Sequence, residues 1–339
     1  MKSESKLLLP LWIIVIFLSF VVLYIGQSII TTIIFTSILL FIFSWIYSFF
    51  TKYLKSHILS LFLTAGVFIS FFLVIWFIIV SQIDNFTEDI WKIGQGVTQL
   101  SNTFDFVPSS LSEINYAEIW EKVDIAGIWK SALWAISGII WWLTTVWFLL
   151  IFLVLEKNMF AKKMRDILPD REEKKFFWIY KRIYDDMNTF FLSKFSLALF
   201  NALVSVVIMM IFGLEYALMF ALLVFLLDFI PAIGWIIALS LPFLYSFVQF
   251  ESNFTPFILL VCLFVPQFIS GNIIEPRIMW DRLNLSWFVI LVALIFWSGM
   301  WGIIGAFLAV PLMASINIVL AQFKTTKPIA ILFSKNGKV

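Results

Sequence analysis

The stretch FSLALFNALVSVVIMMIFGLEYALMFALLVFLLDFIPAIGWIIALSLPFLYSFVQF, residues 195–250, decides the fold. It reads as a full-length apolar run (195–213), a shorter one (216–227) and another full-length one (229–250). The same order returns downstream as 254–271, 286–298 and 303–323. A membrane-crossing helix needs about 20 mostly apolar residues for about 30 Å of hydrocarbon. At 1.5 Å per residue the two shorter runs reach only about 20 Å. They are expected as re-entrant or broken half-helices, with short tilted spans as the alternative. Breaker-rich stretches follow each short run: Asp228-Phe-Ile-Pro231-Ala-Ile-Gly234, then Gly299-Met-Trp-Gly302-Ile-Ile-Gly305. Paired, Gly/Pro-interrupted apolar segments in corresponding positions point to a transport site.

Working outward, four more apolar runs (7–26, 29–50, 58–80 and 132–155) bring the full-length spans to eight. Composition agrees. Of 339 residues, 62% are hydrophobic and 13% charged, with mean hydropathy +1.02. Soluble domains carry about a quarter charged residues, so a water-soluble globule is excluded. One histidine, His57, and one cysteine, Cys262, leave no internal disulfide and no Cys/His metal set. No catalytic residue, metal or cofactor is expected. The net charge of +2 and the lack of a basic stripe speak against a nucleic-acid partner. No P-loop is present, and no cleavable signal peptide is evident, because the first apolar run is a full span long.

Scarce charges set the topology. Lys2, Lys6, Lys52, Lys55, Lys324, Lys327, Lys335 and Lys338 flank the spans on one side, together with the basic-rich segment 156–194. Segment 83–130 carries Lys92, Lys122 and Lys130 against eight acids. Lysine and arginine accumulate in cytoplasmic loops, which places both termini inside and 83–130 outside. The outer segment repeats Ile83, Phe86, Ile90, Ile93, Val97 and Leu100 at spacings of three and four. That is a helical stripe, and Ser110 with Glu113 starts a second helix as a capping box. Inside, Asp170 and Glu173 open an amphipathic helix bearing Phe176, Ile179, Tyr180, Ile183, Tyr184, Met187 and Phe190, suited to a membrane interface.

The expected organisation is therefore an all-α polytopic membrane protein. Three spans (1–82) precede an extracytoplasmic helical hairpin (83–131), a fourth span (132–155) and a cytoplasmic amphipathic helix (156–194). The broken-helix core (195–323) and a basic tail (324–339) complete it. The partners expected are the lipid bilayer and a small-molecule or ion substrate.

Asp228 is the one acid flanked on both sides by long apolar runs. A carboxylate in a bilayer centre costs at least about 2.5–3.5 kcal/mol, so it should face a cavity, a cation or a donor. The competing reading has Asp228 cap the helix beginning near Pro231. Candidates for transport or ion coupling are Asp228, Pro231, Gly234, Asn272, Glu275 and Arg277. The last three lie in an expected loop, 271–277, where Glu275 and Arg277 could pair across Pro276. Helix-break candidates are Gly213, Gly271, Pro276, Gly299, Gly302, Gly305 and Pro311. Asn201, Gln249, Gln267 and Asn317 are expected to hydrogen-bond neighbouring helices.

At these residues the chain resembles the autoinducer-2 exporter (AI-2E, or PerM-like) family of bacterial membrane proteins. The resemblance rests on Gly213-Leu-Glu-Tyr216-Ala217, Leu227-Asp228-Phe-Ile-Pro231-Ala-Ile-Gly234, Gln267 to Gly271-Asn272, Glu275-Pro276-Arg277 and Gly302-Ile-Ile-Gly305-Ala-Phe-Leu-Ala309-Val-Pro311. It implies an eight-span fold, homo-oligomeric assembly, the bacterial inner membrane and export of small solutes such as autoinducer-2; coupling to a proton or sodium gradient is the expectation that rests on Asp228. Sodium/proton exchange, associated with some relatives, is the first alternative; a non-transporting scaffold is the second. Two departures stand out. Lys194-Phe195 replaces the family's Gly-Gln pair, and Trp280 replaces a small residue.

Overall fold

The computed structural model describes residues 14–15, 18, 20–89, 99, 145–146, 148–150, 152, 156, 159, 162–231, 233–250, 252, 254–280 and 283–337. The expected first span, the outer hairpin beyond residue 89 and the fourth span lie largely or wholly outside these residues. The named helices are α1 (Gln27–Leu54), α2 (His57–Asp89), α3 (Asp170–Ile211), α4 (Ala217–Leu227), α5 (Gly234–Gln249), α6 (Thr255–Ile269), α7 (Trp287–Ala321) and α8 (Lys327–Phe333). Among the described residues there is no strand, only one isolated bridge between Leu285 and Ser334. Among the described residues, five helical stretches are long and apolar enough to cross a membrane: 27–54, 57–82, 172–211, 255–279 and 287–321. Contacts divide the chain into two compact units: 1–42, 135–185 and 284–339 in the first; 43–134 and 186–283 in the second.

In α1 and α2 the polar residues are those an apolar span can satisfy internally. Thr31, Thr32, Thr36, Ser60 and Thr64 are buried, and each hydroxyl donates to a carbonyl one turn back. Helix α2 runs unbroken through Asp89, so the third span does continue past the apolar run ending at 80. His57 Nδ1 lies 3.0 Å from the Tyr47 hydroxyl.

Helix α3 joins the expected interfacial helix and fifth span into one 42-residue element. Its buried stripe is Met187, Phe191, Lys194, Ala198, Asn201, Ser205 and Met209, at spacings of four and three. The opposite face exposes Phe200, Leu203, Val207, Met210 and Ile211, as a lipid-facing surface does. Gly213 (φ 70°) ends the helix: Leu214 N–H donates to Met209 C=O and Gly213 N–H to Met210 C=O. This is a Schellman stop, sealed by Leu214 and Met209 in one apolar cluster.

The stretch after α3 departs from expectation. Residues 229–250 form no full-length span, because the turn after Asp228 delays α5 to Gly234 and leaves it 16 residues, about 24 Å. Helices α4 and α5 pack together as a hairpin within the second unit. A methyl group on Gly234 would lie 1.8 Å from the Leu227 carbonyl oxygen, so only glycine permits this reversal. Gln82 of α2 accepts the Met219 N–H at the start of α4 (3.2 Å), satisfying one of that helix's free donors.

The expected loop 271–277 is also helical. Helix α6 continues through two π-helical stretches, Ser270–Ile274 and Pro276–Trp280. Pro276 has no N–H for an ordinary ladder, and Glu275 N–H reaches back to Ser270 C=O, the wider π spacing.

In the first unit, the second breaker stretch bends at one residue. Gly299 stays helical, and only Gly302 (φ 62°, ψ −142°) leaves the helix. A methyl on Gly305 would lie 1.9 Å from the Trp297 carbonyl oxygen, which an uninterrupted helix would hold far away. The two arms of α7, 287–301 and 303–321, thus fold back on each other. Each unit carries one glycine-sealed helical hairpin, placed at the two breaker-rich stretches read from sequence, although the full-length span expected at 229–250 is not formed.

Candidate functional site

All groups of the candidate site belong to the second unit. Helix α3 supplies Lys194 and Asn201, the last turn of α4 presents Asp228, and α6 with its π extension supplies Gln267, Ser270 and Glu275. Lys194, Asp228 and Glu275 are 5%, 6% and 7% exposed. In a chain this apolar, three charges on buried faces must compensate one another.

The Lys194 ammonium donates to Glu275 Oε1 and stands 3.8 Å from Asp228 Oδ2. Gln267 Nε2 donates to Asp228 Oδ1. Asp228 Oδ2 is fully buried and has no hydrogen-bond partner. Beside this cluster, Ser270 Oγ donates to Asn201 Oδ1 (2.7 Å), while Asn201 Nδ2 is buried without a partner. Together these groups make a polar seam between α3 and α6. Phe195 and Phe229, the neighbours in sequence of Lys194 and Asp228, join Phe71 and Phe225 in an aromatic cluster with centroids 5.6–5.9 Å apart. That apolar wall strengthens electrostatic interactions beside it by lowering the local dielectric.

The arithmetic of charge defines the chemistry. One ammonium balances one carboxylate; the second carboxyl must be neutralised by a proton or a bound cation, or persist as a buried excess charge at a cost of several kcal/mol. Gln267 and Lys194 hold Asp228 in place, and its second oxygen is the free acceptor. Among the described residues no cluster of three or more His, Cys, Asp or Glu side chains could hold a metal ion.

The expected site residues fall into three groups. Asp228 and Glu275 come together, although Glu275 pairs with Lys194 and not with Arg277, which is exposed. Asp228 does not cap the helix after Pro231: α5 starts with Ile233 at its N-cap and no side-chain cap, while Asp228 closes α4. Pro231 and Gly234 shape the turn below Asp228, with Ile233 N–H donating to Pro231 C=O. Asn272 is exposed and donates to Phe268 C=O of its own helix. Gly271 and Pro276 lie in the π-helical extension, and Pro311 lies inside the second arm of α7. Gln249 accepts from Glu215 N–H and donates to Gly213 C=O, and Tyr245 donates to Glu215. That clamp holds the α3–α4 connection.

Sequence reasoning missed Lys194 and Gln267 as site residues. Charge counting places Lys194 at the end of the cytoplasmic stretch 156–194. Its place on the buried stripe with Ala198, Asn201 and Ser205 was the signal available.

Comparison with known proteins finds transport relatives. The model of the AI-2E family transporter matches residues 11–325. A putative transport protein of Borreliella burgdorferi is 25% identical over 56% of this chain and 52% of its own length. The AI-2 transport protein TqsA of Escherichia coli is 29% identical over 47% of this chain and 46% of its own. A putative transport protein of Haemophilus influenzae is 35% identical over 32% and 31%. The chain spans about half the length, or less, of these curated relatives.

Proposed function

The chain belongs to the AI-2E family of transporters, and from that premise we propose that it is a secondary transporter exporting a small solute, with Asp228 as its ion-coupling carboxyl. The observation that carries the reading is Asp228 Oδ2: a buried carboxylate oxygen without a hydrogen-bond partner, held by Gln267 and beside Lys194. Most buried side-chain polar atoms are hydrogen-bonded, so an unpaired carboxylate oxygen marks Asp228 out from an ordinary structural acid. Loading Asp228 with a cation on one side of the membrane and unloading it on the other couples solute movement to an ion gradient. The second free valence of the seam, Asn201 Nδ2, offers a donor to a polar solute passing between α3 and α6. Autoinducer-2 is the first substrate to assay, because one relative carries that transport activity in its name.

The test is flux in vesicles containing only this protein. Asp228→Asn keeps the shape and the hydrogen bond to Gln267 but removes the ionisable group. It should abolish gradient-driven efflux while expression, membrane insertion and oligomeric state stay as in the wild type. Efflux at the wild-type rate from that variant would reject the reading. A sodium gradient that alkalinises or acidifies the vesicle lumen without any organic solute would show cation/proton exchange instead.

A further inference from the structure

Resting on that reading, we propose that Lys194 is a resident cation: its ammonium fills the position between Glu275 and Asp228 that a coupling sodium ion would take, so that the ion loaded at Asp228 is a proton. The geometry that points to this is the pair of buried carboxylates on one ammonium. Lys194 Nζ donates to Glu275 Oε1 and lies 3.8 Å from Asp228 Oδ2. A sodium ion needs several oxygen ligands at close range. Here the oxygens that could supply them converge instead on a tethered nitrogen, which is a donor only. Sodium would neutralise the ionised cluster as a proton does, but it would have to take its oxygen ligands from the ammonium that already holds Glu275 Oε1.

A proton meets no such obstacle. It forms an O–H bond at Asp228 Oδ2, the one site carboxylate oxygen known to lack a hydrogen-bond partner, and leaves by the same oxygen when the site opens to the other side. With Asp228 protonated, the cluster holds one ammonium and one carboxylate and is neutral. With Asp228 ionised, it carries one negative charge. The charged groups in contact at this position are Lys194 from α3, Asp228 from the end of α4 and Glu275 from the α6 extension, whereas Arg277 is exposed.

The test separates this inference from the transport reading by using a readout that needs no flux. In purified, detergent-solubilised protein, thermal unfolding is followed while sodium chloride replaces choline chloride at constant ionic strength. The wild-type midpoint should not respond. Lys194→Met removes the ammonium and leaves two carboxylates facing one vacated position, so its midpoint should rise with sodium. Lys194→Arg keeps the cation and should remain indifferent. A sodium-dependent rise in the wild type, or no response in Lys194→Met, overturns the proposal. If Lys194→Met does not fold, Lys194→Gln takes its place, and the wild-type titration by itself can still refute the idea. In vesicles, wild-type flux should follow a pH gradient in sodium-free buffer. Flux that requires sodium defeats the Lys194 assignment while the transport reading stands. No flux under any gradient defeats the transport reading, and the sodium titration still decides the role of Lys194.

Discussion

Asp228 and Gln267 show how much one neutral side chain can govern a charged one. The Gln267 amide is the sole side-chain hydrogen-bond donor found on this carboxylate among the described residues, and both groups are buried. Gln267→Met conserves volume but removes the donor, leaving Asp228 with the more distant Lys194 alone. Losing a hydrogen bond to a buried group of this kind costs about 1–3 kcal/mol, more when the group is charged. We expect thermal unfolding in detergent to report a loss of that size. In an Asp228→Asn background the same substitution should cost less, because the acceptor no longer carries charge. A double-mutant cycle measures the difference directly. Equal losses in both backgrounds would mean that Gln267 acts through packing and not through the carboxylate.

At the scale of elements, the two hairpins depend on glycines whose roles differ sharply although their sequence settings look alike. Gly305 abuts the Trp297 carbonyl, whereas a methyl at Gly299 would touch nothing within 4 Å and its backbone is helical. Gly305→Ala should therefore destabilise by about 1–3 kcal/mol or more through forced overpacking. Gly299→Ala should stabilise by about 0.4–1 kcal/mol by restricting the unfolded chain. Tryptophan fluorescence on heating compares the two, and the same ordering should hold for Gly234→Ala in the other hairpin. A Gly299→Ala variant less stable than Gly305→Ala would contradict the fold-back at Gly302. The repeat of long and short apolar runs was legible in sequence, because apolar length and Gly/Pro breakers are local signals. Which glycine breaks the helix was not, since Gly299 and Gly302 sit in the same apolar context and differ in backbone conformation, Gly302 alone leaving the helix at φ 62°. The π-helical course of 270–280 was equally hidden: proline and glycine there read as a loop, and the wider ladder exists only because Ser270 C=O takes the Glu275 N–H. Lys194 was misplaced for a related reason. Counting charges by segment assigns a lysine to the nearest basic stretch, while its buried partners come from residues 34 and 81 positions away.

Over the first unit as a whole, the carboxyl-terminal segment closes the second hairpin from outside. Ser286 N–H donates to Phe333 C=O, Lys335 N–H to Asn284 C=O, and Leu285 bridges Ser334, so the entry to α7 is tied to a segment that begins just after its exit. A straight helix of 35 residues would put those ends about 52 Å apart. The twelve residues between Ala321 and Ser334 include the seven-residue helix α8, which advances only about 10 Å. They could not bridge that gap, so the docked tail and the break at Gly302 require each other. The exit is held as well: Lys175 donates to Gln322 C=O and lies 4.1 Å from the Phe323 ring centroid, a cation–π contact at a helix C-terminus. Truncation after Thr326 would strip the Ser286 N–H of its partner and remove Ala330, which is fully buried in the docked tail. We expect a lower unfolding midpoint and faster amide hydrogen exchange over 284–290, with exchange in 217–249 unchanged because that hairpin belongs to the other unit. Unaltered protection at 284–290 would mean that Gly302 alone sets the fold-back. In that case the tail rests on a hairpin already formed.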